Sequence, residues 1–412
     1  AQGLPFKATT TAVAVASFLA ACGGGGSSTP APPAISDKIT FATDYAAARF
    51  LQHAQFSSSE TEIAAVKSMG ASAWLDAQMG LPSSTGGWDW LTARGYSAID
   101  SNKFYEMDYH ANYMAWYQIM ASPDGVRRRM ALALSEFFVV GISGVSTLSW
   151  PQFAMAHYWD ILCNNAFGNY RQLLEEVTLS IAMGEFLNTL GNQKEDPATG
   201  RLPDENYSRE VMQLFTIGLQ QLNNDGTVVK VNGAPVDSFT QSDVSNLARV
   251  FTGYQADDSE GYFDSVVAPT YRVRKVGYTR RPMLLNANRH SKLEARFLGA
   301  VVPAGTEGKA ALKIALDTLF QHPNVGPFFG RQMIQRLVCS NPSPAYVGRV
   351  AAVFNNNGKG VRGDLAAVFK AILTDAEATQ EAGLTSTSFG KLREPMVRVA
   401  QWARTFKVKS IK

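Results

Sequence analysis

Between Pro203 and Leu219 the chain reads PDENYSREVMQLFTIGL, which places Glu205, Asn206, Arg209 and Glu210 in the first turns of a predicted helix. Pro203 and Asp204 suit a helix start, and Val211, Met212, Leu214, Phe215 and Ile217 supply an apolar face. Helical spacing makes Glu205 and Arg209 one i,i+4 pair and Asn206 and Glu210 another, so the two pairs form adjacent rows on the helix. Carboxylates and a guanidinium at the edge of a core do one of two things. They form an ion-pair network that fixes helix packing, or they supply the acid, base or metal ligand of a site.

The elements that must position these groups are mostly helical. Apolar residues recur at helical spacing over 43–54, 60–69, 105–121, 123–140, 151–166, 168–177 and 204–219, and again over 241–252, 308–321, 325–338, 343–356, 361–374 and 391–406. Ser59 before Glu60, Pro151 after Trp150, and the glycines at 70, 80 and 168 punctuate helix ends. One strand signal stands out between 226 and 239, where Val228, Val229 and Val231 precede Asn232-Gly233, a pair suited to a type I′ turn. A less regular stretch then runs to about residue 305. The expected fold class is therefore mainly α, a multi-helix globular domain with a small β-hairpin insertion.

Composition narrows the function classes. Hydrophobic residues make up 46% of the chain, charged residues 18%, and the formal net charge is +3, so a strong polyanion footprint is lacking and nucleic acid is not an expected partner. The start reads Lys7, an apolar stretch from Ala8 to Ala21, and Leu19-Ala20-Ala21-Cys22, which matches a bacterial lipoprotein signal and cleavage site. Residues 1–21 are read as a signal peptide, Cys22 as the lipidated residue anchoring the chain in a membrane, and 22–40 as a Gly/Ser/Pro-rich tether. Residues 41–412 are read as a single helical domain. Glycine after the cysteine resembles the outer-membrane sorting pattern of Gram-negative lipoproteins. Cys163 and Cys339 are too few for a disulfide framework and lack a histidine at close metal-ligand spacing. No G-x-S-x-G elbow, H-E-x-x-H helix, P-loop or G-x-G-x-x-G turn occurs, which removes the standard lipase, zincin, NTPase and dinucleotide-binding readings.

The strings RRRMALALSEFFVV, NAFGNYRQLLEEVTLSIAMGEFLN, PDENYSREVMQLFTIGL, QSDVSNLARVFTGY, HPNVGPFFGRQMIQRLVCSNPSPAYV and GKLREP resemble the bacterial exported family catalogued as domain of unknown function 1800, from about Ala48 onward. The resemblance implies a cell-envelope location, a largely helical architecture, and a second exported, sulfatase-like protein as a partner. It brings no established reaction. It also implies a truncated C-terminus, because the family pattern continues beyond GKLREP into a segment that this chain lacks. A second branch of the family resembles this chain at Glu205, Asn206, Arg209, Glu210 and His290, but carries histidine where Glu136 stands. Histidine and glutamate share proton transfer and metal ligation, so the exchange favours a chemical role for that position.

The expected site thus joins Glu136, Glu205, Glu210 and His290, with Arg209 and Asn206 in support. Carboxylates with one imidazole suit a divalent metal, and two carboxylates with separated pKa values suit acid and base work on a glycoside or similar polymer. His157 and Asp160 form a second-rank i,i+3 pair, better explained by packing beside Tyr158 and Trp159. Aromatic residues from Trp88 to Tyr117 offer rings that stack on a polysaccharide, although rings at helical spacing more often fill a core. Two functions follow as expectations: a hydrolytic or metal-assisted envelope enzyme, or a non-catalytic assembly or partner-binding protein.

Overall fold

The computed structural model describes residues 39–100, 102–264 and 272–409. The signal peptide, Cys22 and nearly all of the tether lie outside the described residues. The fold opens with α1 (Asp44–Ala54), α2 (Glu60–Met69), α3 (Ala71–Met79) and α4 (Gly87–Ala93). Its middle comprises α5 (His110–Ala121), α6 (Gly125–Ser135), α7 (Pro151–Asn164), α8 (Tyr170–Leu179), α9 (Ile181–Phe186) and α10 (Asn206–Gln213). A hairpin of β1 (Lys230–Val231) and β2 (Ala234–Pro235) leads into α11 (Gln241–Val250). Two further antiparallel pairs follow: β3 (Tyr254–Gln255) with β4 (Leu284–Leu285), and β5 (Ala295–Phe297) with β6 (Ala300–Val302). The last part is helical again, with α12 (Gly308–Gln321), α13 (Val325–Leu337), α14 (Pro344–Asn355), α15 (Leu365–Thr374), α16 (Ala376–Thr379), α17 (Ala382–Thr385) and α18 (Pro395–Thr405).

The mainly α architecture matches the expectation, and local chemistry explains many of the boundaries. Ser59 opens α2 through a capping box, its backbone N–H donating to Glu62 Oε2 at 2.8 Å. Asn232 and Gly233 both take positive φ, 52° and 83°, as a type I′ turn requires. The α10 segment stops sooner than its periodicity suggests. After Gln213 the chain tightens, with Phe215 N donating to Glu210 O and Gly218 turning at φ 70°. Five short helices, α3, α4, α9, α16 and α17, escaped the sequence reading. Gly70 closes α2 and opens α3 in a single residue, so one stop signal conceals a second start.

Buried apolar side chains from Phe41 to Ala400 form one cluster, so the described residues share a core. Tyr170 lies near its centre. The ring packs against Phe329 at 5.0 Å, Phe354 at 5.3 Å and Phe138 at 5.9 Å, and its hydroxyl donates to Phe215 O. This ties the start of α8 to α13, α14 and the segment that follows α6. Cys163 and Cys339 are free and buried. Among the described residues no helix is long and apolar enough to cross a membrane.

Phe329 is 0% exposed and touches Phe137, Tyr170 and Phe354, so Phe329→Ala is expected to lower unfolding free energy in urea by about 3–5 kcal/mol. Leu202, 77% exposed, is the control, and Leu202→Ala should stay within about 0.5 kcal/mol of the parent.

Candidate functional site

The polar turn of α10 folds against its neighbouring helix. Glu205 Oε1 accepts from Ser245 Oγ at 2.5 Å, and Oε2 accepts from Gln241 Nε2 at 2.7 Å, both on α11. Arg209 Nη2 reaches Glu205 Oε2 at 3.3 Å and Gln241 Oε1 at 2.8 Å, so the i,i+4 pair is real and clasps two helices. Asn206 takes its backbone cap from Asp204 Oδ1 at 2.8 Å. Glu210 is different. Its Oε2 is buried without a hydrogen bond, and burial lifts its carboxyl above the usual value while Arg209 opposes the rise.

His290 belongs to another neighbourhood. The buried ring donates from Nδ1 to Thr252 O at 2.9 Å, and burial lowers its proton affinity while that hydrogen bond opposes the fall. Gly253, at φ 87°, permits the close approach, since a Cβ there would come within 2.9 Å of His290 N. Glu136 follows the last residue of α6 and engages Arg336 of α13, with Oε2 3.8 Å from Arg336 Nε. Among the described residues no hydrogen bond or ion pair links Glu136, Glu205, Glu210 and His290 to one another. Glu205, Glu136 and His290 have separate partners: Glu205 bonds to α11, Glu136 to Arg336 of α13, and His290 to the backbone of Thr252. Among the described residues no three His, Cys, Asp or Glu side chains group as metal ligands.

Around Glu136 a different cluster forms, drawn from α6, α13 and the segment before α18. Arg129, only 1% exposed, donates from Nη2 to Arg336 O at 2.8 Å, while its Nε and Nη1 make no hydrogen bond within the protein. Lys391 Nζ donates to the same carbonyl at 3.0 Å and to Glu394 Oε1 at 2.7 Å. Arg336 Nη2 returns a bond to Glu136 O at 2.8 Å. The two carboxylates move in opposite directions. Burial lifts Glu136 above its usual value and Glu394 adds to the rise, against the pull of Arg129, Lys391 and Arg336. Burial also pushes Glu394 upward, but the Lys391 hydrogen bond, a backbone N–H and nearby cations more than offset it and leave it low.

Beside this cluster lies an apolar cavity of about 360 Å³ between α5, α6, α7 and the start of α18. Ser135, next to Glu136, and Met396, two residues past Glu394, both line it. So does Trp159, whose Nε1 is buried without a partner. The outer face of α5 carries Tyr109, Tyr113, Trp116 and Tyr117, each 40–54% exposed, and the helix contains no Asp, Glu, Lys or Arg. An uncharged aromatic face on a surface helix is unusual for a fully solvated element.

The second-rank pair is structural. Asp160 accepts from the backbone N–H groups of Gly87 at 2.6 Å and Trp88 at 3.0 Å, capping α4, and burial holds its carboxyl at about 6 against those bonds. His157 is held down to about 4 by burial and by the nearby Arg280. Arg129, Arg336, Lys391 and Glu394 were not among the expected site residues. Their signal was present in the strings RRRMALALSEFF, GRQMIQRL and GKLREP, but local spacing cannot show that these meet.

Two outcomes follow. His157 binds protons less tightly folded than at its ordinary 6.5, so the unfolded chain takes up the proton first and stability is fully present above about 6.5. Denaturant midpoints should fall as pH drops from there toward about 4, and His157→Asn should flatten that slope. Arg129→Met removes the largest charge opposing protonation of Glu136, so carboxyl NMR titration should show the Glu136 pKa rising.

No curated protein and no solved structure matches the chain. Residues 49–412 match the model of the family described as protein of unknown function DUF1800, and the chain belongs to that family.

Proposed function

We propose that this chain is an exported bacterial cell-envelope lipoprotein, anchored through Cys22, that hydrolyses an envelope polysaccharide by acid and base chemistry at Glu136 and Glu394. The observation that carries the reading is the pair of carboxylates displaced in opposite directions inside one cation-rich cluster, beside an apolar cavity. A carboxyl with raised proton affinity suits the group that protonates a leaving oxygen, and one held ionised suits the group that activates water or stabilises developing positive charge. Arg129 and Lys391 lower the proton affinity of both carboxyls, and the Lys391 hydrogen bond, made to Glu394 alone, helps keep them unequal. The aromatic face of α5 supplies stacking surface for sugar rings, each stacked ring adding apolar contact with a polar tip.

A second reading has its own observation. Tyr and Trp on an uncharged helix face are also the residue types that anchor protein partners, which favours a non-catalytic role with the exported sulfatase-like protein.

Purified protein incubated with envelope polysaccharide should release new reducing ends, and Glu136→Gln and Glu394→Gln should each cut that release by about 100-fold or more at temperatures where the variants remain folded, with some loss of stability because each removes charge that compensates Arg129. Tyr113→Ala with Trp116→Ala should weaken polymer retention about tenfold and leave folding intact. Unchanged release in both glutamine variants would defeat the hydrolytic reading. Loss of a sulfatase-like partner from the α5 variant, with no polymer release by the parent, would establish the second.

A further inference from the structure

On another side of the 390–394 segment, a cavity of about 270 Å³ lies between α1, the end of α13, α17 and residues 389–393. Its ionisable walls are one-sided. Arg49, Lys391 and Arg393 line it together with His53, and no Asp or Glu does. Lys391 is paired with Glu394, whereas the two guanidinium groups make no ion pair with a carboxylate among the described residues, although the charge of Glu394 also reaches Arg393. Arg49 Nη2 donates to the carbonyls of Ala378 at 3.0 Å and Gln380 at 2.7 Å, and Arg393 Nη1 donates to the side-chain oxygens of Gln52 and Gln401. Arg49 Nη1 is buried against Gly383 with no hydrogen bond. Neutral acceptors orient these cations without cancelling their charge.

A neighbouring hollow shares Gln52 and Arg393 and adds Arg398, again without a carboxylate in its wall. The ring of His53 registers the resulting field. Its proton affinity falls to about 3, through burial first and then Arg49, Arg393 and Arg129. The rest of the lining includes Gln52 and Tyr45 and an apolar part from Leu337, Val338, Leu384 and Phe389.

We propose that this cavity binds a small dianion of the phosphate class, held between Arg49, Arg393 and Lys391. Two guanidinium groups without an ion-pair partner suit a doubly charged anion, and planar N–H forks suit tetrahedral oxyanions. The volume exceeds that of the bare ion, and the apolar wall gives room for a small organic substituent, so a phosphate monoester fits better than inorganic phosphate. The proposal shares Lys391 with the hydrolytic reading, but Arg49, Arg393, His53 and Gly383 take no part in that reading, so variants at Arg49 and Gly383 test the anion site separately.

Calorimetry with inorganic phosphate and with phenyl phosphate tests it, using sodium chloride at matched ionic strength as the control. The parent protein should bind both saturably, phenyl phosphate more tightly, and chloride should give no saturable heat. His53 should titrate at higher pH with phosphate present than without it, because the anion offsets the surrounding cations. Arg49→Gln should weaken binding about tenfold or more, and Arg49→Lys should recover part of the loss. Gly383→Ala keeps every charge but would bring a Cβ to 2.5 Å from Arg49 Nη1, displacing the guanidinium, and should weaken binding too. If Arg49→Gln does not fold, the Gly383→Ala affinity and the parent His53 titration decide. Absent saturation by either phosphate, an unmoved His53, or full affinity in a folded Arg49 or Gly383 variant would overturn the proposal.

Discussion

The guanidinium of Arg129 is the constraint on which the centre of this protein is built. A cation with 1% exposure has lost its water, and the fold must return an equivalent environment or lose stability. It returns it in two parts. One is the carbonyl of Arg336 in the last turn of α13, where backbone oxygens lack helical partners and the helix dipole is negative. The other is the combined charge of Glu136 and Glu394. Lys391 uses the same carbonyl, so α6, α13 and the approach to α18 are fastened at one point.

Packing makes that point rigid. Phe137 and Phe138 follow Glu136 directly; Phe137 meets Phe329 at 5.2 Å, and Phe138 meets Tyr170 at 5.9 Å and Phe215 at 5.5 Å. Tyr158 of α7 donates to Phe138 O at 2.6 Å, which fixes the backbone on the other side. Glu136 is thus a polar residue on a frame of buried rings, its position set by residues that carry no charge. The same rings bring the segment after α10 toward α6, although Glu205 at the start of α10 bonds to α11 instead.

What the sequence reveals and what it hides divide along contact distance in the chain. Helices with a long apolar period, the capping box at Ser59, and the Asn232-Gly233 turn are all decided within a few residues, so spacing and residue type suffice. The Glu205–Arg209 pair is legible for the same reason. Its partners Gln241 and Ser245 are not, since α10 meets α11 only after the chain has passed through the hairpin. The bonds that define the Glu136 cluster span some 200 residues between Glu136 and Arg336, and no periodicity encodes them. Short elements failed differently: α9 has six residues, under two helical turns, and the later strand pairs have two or three residues per strand, too few repeats to establish a period. Placing Glu136 with Glu205 and His290 assumed that polar residues at core edges gather in one place. In this fold they are distributed over several helix junctions.

An ion-pair network that serves packing alone tends toward full satisfaction, because every unpaired polar atom in a low-dielectric setting carries a desolvation cost with no return. The α10–α11 clasp approaches that limit, with both oxygens of Glu205 occupied. The Glu136 cluster does not. Arg129 Nε and Nη1, Arg336 Nε and Glu394 Oε2 are buried without hydrogen bonds within the protein, and Trp159 Nε1 is equally unpaired in the adjoining cavity wall. Donors and an acceptor thus remain available around a pair of carboxylates whose proton affinities differ. Stability by itself would favour replacing such a cluster with apolar side chains of similar volume. Its unsatisfied atoms distinguish it from the Glu205 clasp, and they are the reason the proposed chemistry is to be tested at the end of α6.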